Sequence, residues 1–364
     1  MYLAWKEIRY SKLRYGLIIG IMFLVAYVVF ILSGLANGLA QGNRQAVDDW
    51  QAKTVILSED SNKVASASQL TRSDVDRVKA SDKTAVGIFS SAMERSNSNA
   101  KTNVSIFGAN SDSFIVPKIK DGRSVKAADE IVISENLEND GFKLNQTVKL
   151  GAGKEFKIVG IVPATTYMIA PVVYMNLDGY TGLKYGAQPF ASEDQKPISA
   201  VVVKDETPSQ VSITTNDGQK QMQKLTSNDF VESLPGYKPE KLTLDAMIYF
   251  LFVVVAAIIG IFMYVMTLQK TAIFGVMKAQ GVSTGYLVRS ILAQSLIVGI
   301  VGVALAVLFS ELTSLVLPDA MPFAVDWLEW GIYSIVLVLV AMVGGLFSIR
   351  TVTKVDPVTA IGGE

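Results

Sequence analysis

The chain has 364 residues, half of them apolar and 18% charged, and its 33 basic and 33 acidic side chains leave a net charge of zero. That length accommodates more than one structural unit, the apolar share points to a membrane, and a neutral chain offers no basic field for nucleic acid. Cysteine and histidine are both absent, which excludes disulfides, thiolate nucleophiles, the usual zinc sites and an imidazole base, so catalysis by this chain is not expected.

Residues 1–14 carry Lys6, Arg9, Lys12 and Arg14 and are expected to form a cytoplasmic amphipathic helix. From Tyr15 to Asn43 no residue is charged, and at about 1.5 Å of rise per residue this stretch is long enough to cross a bilayer. Gly38-Leu39-Ala40 imitates a signal-peptidase site, but the apolar run exceeds the roughly 7–15 residues of a signal sequence, so the segment is expected to be retained as a first span.

Residues 44–245 are rich in Ser, Asp, Asn and Lys and alternate short β-branched runs with turn residues, which predicts an α+β domain. Predicted strands are Thr54–Leu57, Ala85–Phe89, Thr102–Phe107, Glu130–Ile133, Thr147–Leu150, Phe156–Val162 and Ile198–Val203. Thr71 with Asp74 resembles a capping box, predicting a helix that places Val75 and Val78 on one face and ends near Ser81. Gly151-Ala152-Gly153-Lys154 lacks the spacing and the hydroxyl residue of a Walker A loop and is expected to be a hairpin turn. No phosphate-cradling loop is therefore expected in this chain.

Three further spans are expected at 246–269, 287–312 and 327–349, separated by a loop at 270–286 and another at 313–326, with a tail at 350–364. Lys270, Lys278 and Arg289 flank the second and third spans, and Arg350 and Lys354 follow the fourth. The loop between the third and fourth spans holds Glu311, Asp319, Asp326 and Glu329 without Lys or Arg. Because basic residues gather at cytoplasmic ends, both termini are predicted inside and residues 44–245 outside.

Four segments carry a family resemblance. Leu268–Ser283, reading LQKTAIFGVMKAQGVS, resembles the loop between the second and third helices of FtsX-like, MacB-type (type VII) ABC transporter permeases. The tail Lys354–Ile361, KVDPVTAI, is similar to that family's C-terminal Asp-Pro motif. Gly141–Asn145 followed by Phe156–Val162 looks like its strand pair, and the start Lys6–Leu17 looks most like the heme-exporter (HrtB-like) subgroup. Many members carry an acidic residue near Ala272 or Ile273, where this chain has none.

The resemblance implies four transmembrane helices enclosing one large extracytoplasmic domain. It implies a permease subunit paired with a second copy of itself and with two copies of an ATPase subunit that holds ATP and Mg. Substrate is then captured at the outer leaflet and moved by mechanical relay, with heme the expected substrate in the subgroup. Two other outcomes stay open: a signalling permease that activates a cell-wall hydrolase, and export of or resistance to antimicrobial peptides or lipids.

The residues add detail. Thr271–Gln280 is expected to form a short helix closed by Gly281, presenting Ile273, Phe274 and Met277 as an apolar knob flanked by Lys270 and Lys278. A membrane-surface amphipathic turn is the plainer alternative. Gly16 with Gly20, and Gly34 with Gly38, have the four-residue spacing that lets membrane helices approach closely, as at a dimer seam. If heme is the substrate, the lack of His and Cys leaves Tyr, Met or carboxylate as iron ligands. The candidates at the outer membrane edge are Tyr167, Met168, Tyr237, Met247 and Tyr249, with Arg44 for a propionate; Tyr167 and Met168 sit in an apolar stretch, Thr165–Val173, that could dip towards lipid. The same residue types also serve simply as headgroup anchors.

Overall fold

The structure is a computed structural model that describes residues 2–95, 101–151, 153–215, 219–318 and 321–346. Among these residues the first six α-helices are α1 (Tyr2–Tyr10), α2 (Lys12–Asp49), α3 (Asp74–Arg77), α4 (Glu135–Asn139), α5 (Leu177–Tyr185) and α6 (Ser227–Glu232). The remainder are α7 (Tyr237–Leu268), α8 (Thr271–Ala279), α9 (Thr284–Ser314) and α10 (Trp327–Leu346). The end of the expected fourth span (347–349), Arg350 and the tail motif Lys354–Ile361 lie outside the described residues, as do Ala152 and Asp319.

Among the described residues four helices, α2, α7, α9 and α10, are long and apolar enough to cross a membrane, and the large mixed domain sits between the first two in sequence, as expected. The helices α2 and α7 extend beyond their uncharged cores, α7 beginning at Tyr237 in spite of Pro239. A proline in the first turn costs nothing there, because that turn's N–H groups have no partner in the helix. The chain divides into two compact units, Leu39–Glu240 on one side and Met1–Gly38 with Lys241–Glu364 on the other.

In the first of these units the strands of the main sheet are β1 (Thr54–Ser58), β2 (Lys83–Arg95), β3 (Lys101–Gly108), β4 (Asp121–Gly122), β5 (Glu130–Ser134) and β6 (Thr147–Leu150). They continue with β7 (Lys154–Val162), β8 (Thr166–Tyr167), β9 (Ala170–Met175), β10 (Ala200–Val203) and β11 (Met222–Thr226). Six of them pair in a closed ring, β2–β3–β9–β5–β7–β6 and back to β2. Alternate residues of these strands, among them Val104, Ile106, Ile131, Ile133, Val148, Leu150, Phe156, Ile158, Val173 and Met175, share one buried cluster. A period of two therefore fills one side of the ring, and closure removes the free edges of these strands.

The first residues of β2 run beyond the ring and pair with β10, which continues to β1 and β11. The opposite faces of the sheet bury Val86, Phe107, Val132, Val172 and Tyr174 against Ala46, Val47 and Trp50 of α2 and against Phe230 and Val231 of α6. Trp50 lies 5.7 Å from the Phe107 ring and 6.4 Å from Phe230.

Three local features depart from the sequence reading. The helix expected from Thr71 to about Ser81 covers only Asp74–Arg77, and Val78–Lys79 is a short strand paired with Ser212–Ile213. Thr71 does bond Asp74, through its backbone N–H at 2.8 Å and its hydroxyl at 3.0 Å. The nearly buried Arg77, however, donates to Asp74 and to the Thr214 and Lys220 carbonyls, and Val78 is drawn into the core with Ile56 and Leu70, which ends the helix. Secondly, the apolar stretch Thr165–Val173 holds strands that were not foreseen. Its residues belong to the hairpin β8–β9, because Val172 and Val173 satisfy the two buried faces of a strand. Thirdly, β11 was not foreseen, since Met-Gln-Lys-Leu-Thr at the end of the sheet buries only Leu225. Gly151 and Gly153, at φ of 56° and 88°, do make the turn between β6 and β7.

In the membrane unit, one buried cluster joins Tyr15, Ile18, Met22, Ala26 and Phe30 of α2 to Val255 and Ile259 of α7, Ile291 and Val298 of α9, and Leu337 and Ala341 of α10. Large apolar side chains also point outward, including Leu17, Leu24, Phe250, Val253 and Ile335, as helices solvated by lipid require.

Candidate functional site

The segment between the second and third spans folds as α8, and its end is a Schellman motif. Gly281 has φ of +89°, its N–H donates to the Lys278 carbonyl at 3.0 Å, and the Val282 N–H donates to Met277 at 3.0 Å. Ser283 caps α9 by accepting from the Tyr286 N–H at 3.3 Å. This short rigid turn of helix is the one expected.

Its orientation differs from the expectation. Phe274 is 3% exposed and Met277 packs against the same membrane core, whereas Ile273 is 57% and Val276 43% exposed. The outward apolar patch is therefore Ile273 and Val276, one turn apart on the helix, with Tyr286 also exposed nearby in sequence. Phe274 turns inward because α8 lies against the bundle, and its ring is worth more there than in water.

Lys270 flanks α8 as its N-cap residue and its side chain is engaged within the bundle. Its ammonium lies 3.1 Å from Glu7 of α1 and 5.7 Å from the centre of the Tyr15 ring. Glu7 also accepts from the Gln294 side chain, which in turn accepts from the Tyr15 hydroxyl at 2.5 Å. Four elements, α1, α2, the start of α8 and α9, thus meet on one polar network in an apolar bundle. Gln294 was the signal available in the sequence: an amide in an otherwise apolar span needs a partner.

The glycine pairs part ways. A Cβ on Gly34 would collide with the Phe323 ring, and one on Gly38 with the Pro322 backbone, while the Ala324 N–H donates to the Gly34 carbonyl at 2.9 Å. This pair serves close approach within the chain, so its bareness has an account that needs no second copy. Around Gly16 and Gly20 a Cβ would meet nothing within 4 Å.

The candidate heme residues fall in both units. In the outer unit, Arg44 forms a two-pronged ion pair with Asp48 at 2.7 and 3.0 Å, with the Tyr237 phenol as a further hydrogen-bonding neighbour. Tyr237 is 5% exposed and belongs to the core. Tyr167 is 3% exposed, edge-on to Phe107 at 5.2 Å, and burial pushes its phenol above the ordinary value, which opposes a tyrosinate. Met168 is half-buried at the tip of β8–β9. In the membrane unit, Met247 and Tyr249 are 49% and 60% exposed, and Met247 lines an open groove of about 460 Å³ with Leu242, Thr243, Ala246 and Phe250. Among the described residues no group of three or more Asp or Glu is placed to hold a metal ion.

The tip of β8–β9 has unusual backbone. Tyr167 pairs with Ala170, leaving a two-residue turn in which Met168 has φ of 51° and Ile169 of 67°. Turns with both central residues at positive φ are normally Asn-Gly or similar, since an L side chain there costs about 1–2 kcal/mol per residue. Here the turn's N–H groups donate to α2, Met168 to the Asn43 carbonyl at 3.2 Å and Ile169 to Gly42 at 2.9 Å.

Comparison with known proteins agrees with this architecture. Residues 15–223 match the family model described as the MacB-like periplasmic core domain, and residues 246–357 match the FtsX-like permease C-terminal model. The chain is 31% identical over 370 residues to a Staphylococcus epidermidis protein named "Putative hemin transport system permease protein HrtB", covering 100% of this chain and 99% of that one. A Staphylococcus haemolyticus protein of the same name is 30% identical over 367 residues with the same coverage. Among solved structures, the extracellular domain of the noncanonic ABC-type transporter YknZ from Gram-positive bacteria aligns with a TM-score of 0.30 and 15% identity, over 45% of this chain and 100% of that one. With both family models matched in order and relatives similar from end to end, this multi-pass membrane protein belongs to the MacB-like and FtsX-like ABC transporter permeases.

Proposed function

We propose that the chain is the permease subunit of an ATP-driven heme exporter, working as two copies with two copies of an ATPase subunit that binds ATP and Mg. The observation that carries the ATP-driven part is α8: a rigid, capped helix with Ile273 and Val276 held outward while Phe274 anchors it inward. A groove on an ATPase would take that patch as it takes any short amphipathic helix. Lys278 and Gly281 complete the coupling segment, and Lys270 holds it to α1 through Glu7. Both termini are cytoplasmic on this reading, in keeping with the Lys and Arg bias.

Heme enters through the hemin-transport names of the two staphylococcal relatives and the N-terminal resemblance. Met247 and Tyr249, exposed on α7, are the favoured iron-side groups; Arg44 and Tyr237 would contribute once the Asp48 pair is exchanged for a propionate. Tyr167 and Met168 are not favoured as ligands, because the Tyr167 phenol is sealed in the core of its own unit and Met168 packs against that core. Gly16 and Gly20, open on α2, mark the face for a second copy. Heme taken from the outer leaflet would then be driven off by motion relayed from the ATPase.

The test is the purified permease–ATPase complex in lipid nanodiscs. Hemin is expected to change its ATPase rate several-fold. Met247→Leu with Tyr249→Phe should weaken that response and alter the hemin absorption spectrum, and Ile273→Asp with Val276→Asp should abolish co-purification while leaving the permease folded. Unaltered hemin affinity and spectrum in the first pair would remove the heme site, and intact assembly in the second would assign α8 to lipid.

A further inference from the structure

Six residues, Ala164 to Ile169, run alongside the outer end of α2 in the opposite direction. Ile169 and Met168 donate their N–H groups to Gly42 and Asn43. The Gln45 amide donates to the Ala164 carbonyl at 2.9 Å and its oxygen accepts from the Thr166 hydroxyl at 3.2 Å. The Thr165 hydroxyl donates to Asp49 at 2.8 Å. On the sheet side the Ser105 hydroxyl holds the Tyr167 carbonyl at 2.9 Å, which ties the hairpin back to β3. About two turns of α2 are therefore gripped by one hairpin of the barrel.

The grip is made by backbone under strain. Among the described residues Ile169 is the β-branched residue at positive φ, and it stands next to a second non-glycine residue in the same condition. Asn-Gly would form the same turn without that cost, so a turn selected only for stability would not be built from Met-Ile. The helix partner is suited to leaving: Gly42 has no side chain to interlock, and a Cβ there would make only ordinary contacts, with Ile169 at 3.8 Å and the Thr166 hydroxyl at 4.0 Å. Carbonyls in a helix keep a spare lone pair, so the extra bonds from the turn can break without unravelling α2.

We propose that the Met168–Ile169 turn is a releasable clasp, closing the barrel onto residues 42–49 of the first span and opening during the ATP-driven cycle. The inference rests on the ATPase-coupled function proposed above. Since α2 is one helix from Lys12 to Asp49, a shift of its membrane part reaches Gly42 and Asn43 directly. Strain at the turn lowers the cost of letting go, and the side-chain bonds at Gln45 and Asp49 give the direction in which the clasp re-closes.

Two variants of the full chain test this. Met168→Asn with Ile169→Gly removes the strain, so amide exchange across residues 165–170 should slow by about tenfold in the chain alone, while the ATPase rate of the assembled complex falls several-fold. A stabilised hairpin with an unchanged ATPase rate would overturn release, and unchanged exchange would overturn the strained grip. Because the chain has no native cysteine, Gly42→Cys with Ile169→Cys offers a reversible lock. Oxidation should slow the cycle several-fold and reduction restore it. Failure of the bridge to form, or full turnover with it formed, counts against the clasp. A complex that does not assemble overturns the ATPase coupling and with it the release step, while exchange in the chain alone still decides the grip.

Discussion

The two units of this protein invert each other. In the outer unit the aromatic and β-branched side chains are inside, with Trp50, Phe107 and Ile133 at 1% exposure or less, and ion pairs such as Arg123–Glu130 and Lys120–Glu135 lie on the surface. In the membrane unit Phe250 and Val253 point outward, while Gln294, Ser290 and Ser295 are buried. The difference follows from the solvent. Water expels apolar surface and satisfies polar groups, so the outer unit is held by apolar burial; lipid does neither, so close packing and internal hydrogen bonds hold the helices.

That comparison predicts a ranking of substitution effects. Trp50→Ala, in the water-solvated unit, should cost the outer domain about 3–5 kcal/mol, because an indole packed against Phe107 and Phe230 leaves a cavity that the surrounding strands cannot collapse. Loss of protease resistance across 44–240, with the membrane helices intact, is the expected readout. A loss confined to the membrane unit would break the picture of separate cores.

Close packing is the corresponding lever in the membrane unit. Gly38→Ala should destabilise by about 1–3 kcal/mol, since the obstacle is Pro322 backbone and cannot rotate aside. Gly16→Ala, facing open space, should leave the melting temperature of the single chain unchanged. Thermal melts of both in detergent decide it, and equal effects would mean that Gly38 is not packed within its own chain.

The smallest effect is electrostatic. Arg123 and the N–H groups of Lys126 and Ala127 hold the Glu130 carboxyl down from 4.5 to about 2. A depressed folded-state value stabilises the fold above the ordinary value, so this contribution is present above about pH 4.5 and fades as pH falls towards 2. At a solvent-screened site it amounts to no more than about 1 kcal/mol. Glu130→Gln should flatten the acid limb of stability between those pH values, and an unaltered limb would show the pair to be unimportant.

Much of the site was legible because its signals are local. Gly281 closes α8 where an αL cap was expected, and β6 spans Thr147–Leu150 as the residues predicted. The strand at Ala170–Met175 was hidden because both of its faces are buried, so its apolar residues run on without a period of two and mimic a lipid-facing segment. Of the expected knob Ile273, Phe274 and Met277 only Ile273 faces outward, because hydrophobicity names apolar positions on a helix without saying which face has a neighbour.

By itself the sequence determined four apolar spans, a polar domain after the first and a capped helix between the second and third, since each depends on composition or spacing within a short window. Only the tertiary structure decided that Phe274 faces in and Val276 out, that Lys270 belongs to Glu7, that Gly34 and Gly38 are filled by Pro322 and Phe323, and that Met168 and Ile169 grip α2. These are contacts between residues far apart along the chain. Which of several apolar or charged partners is taken depends on the surfaces left after the helices and barrel have packed, and no local pattern carries that information.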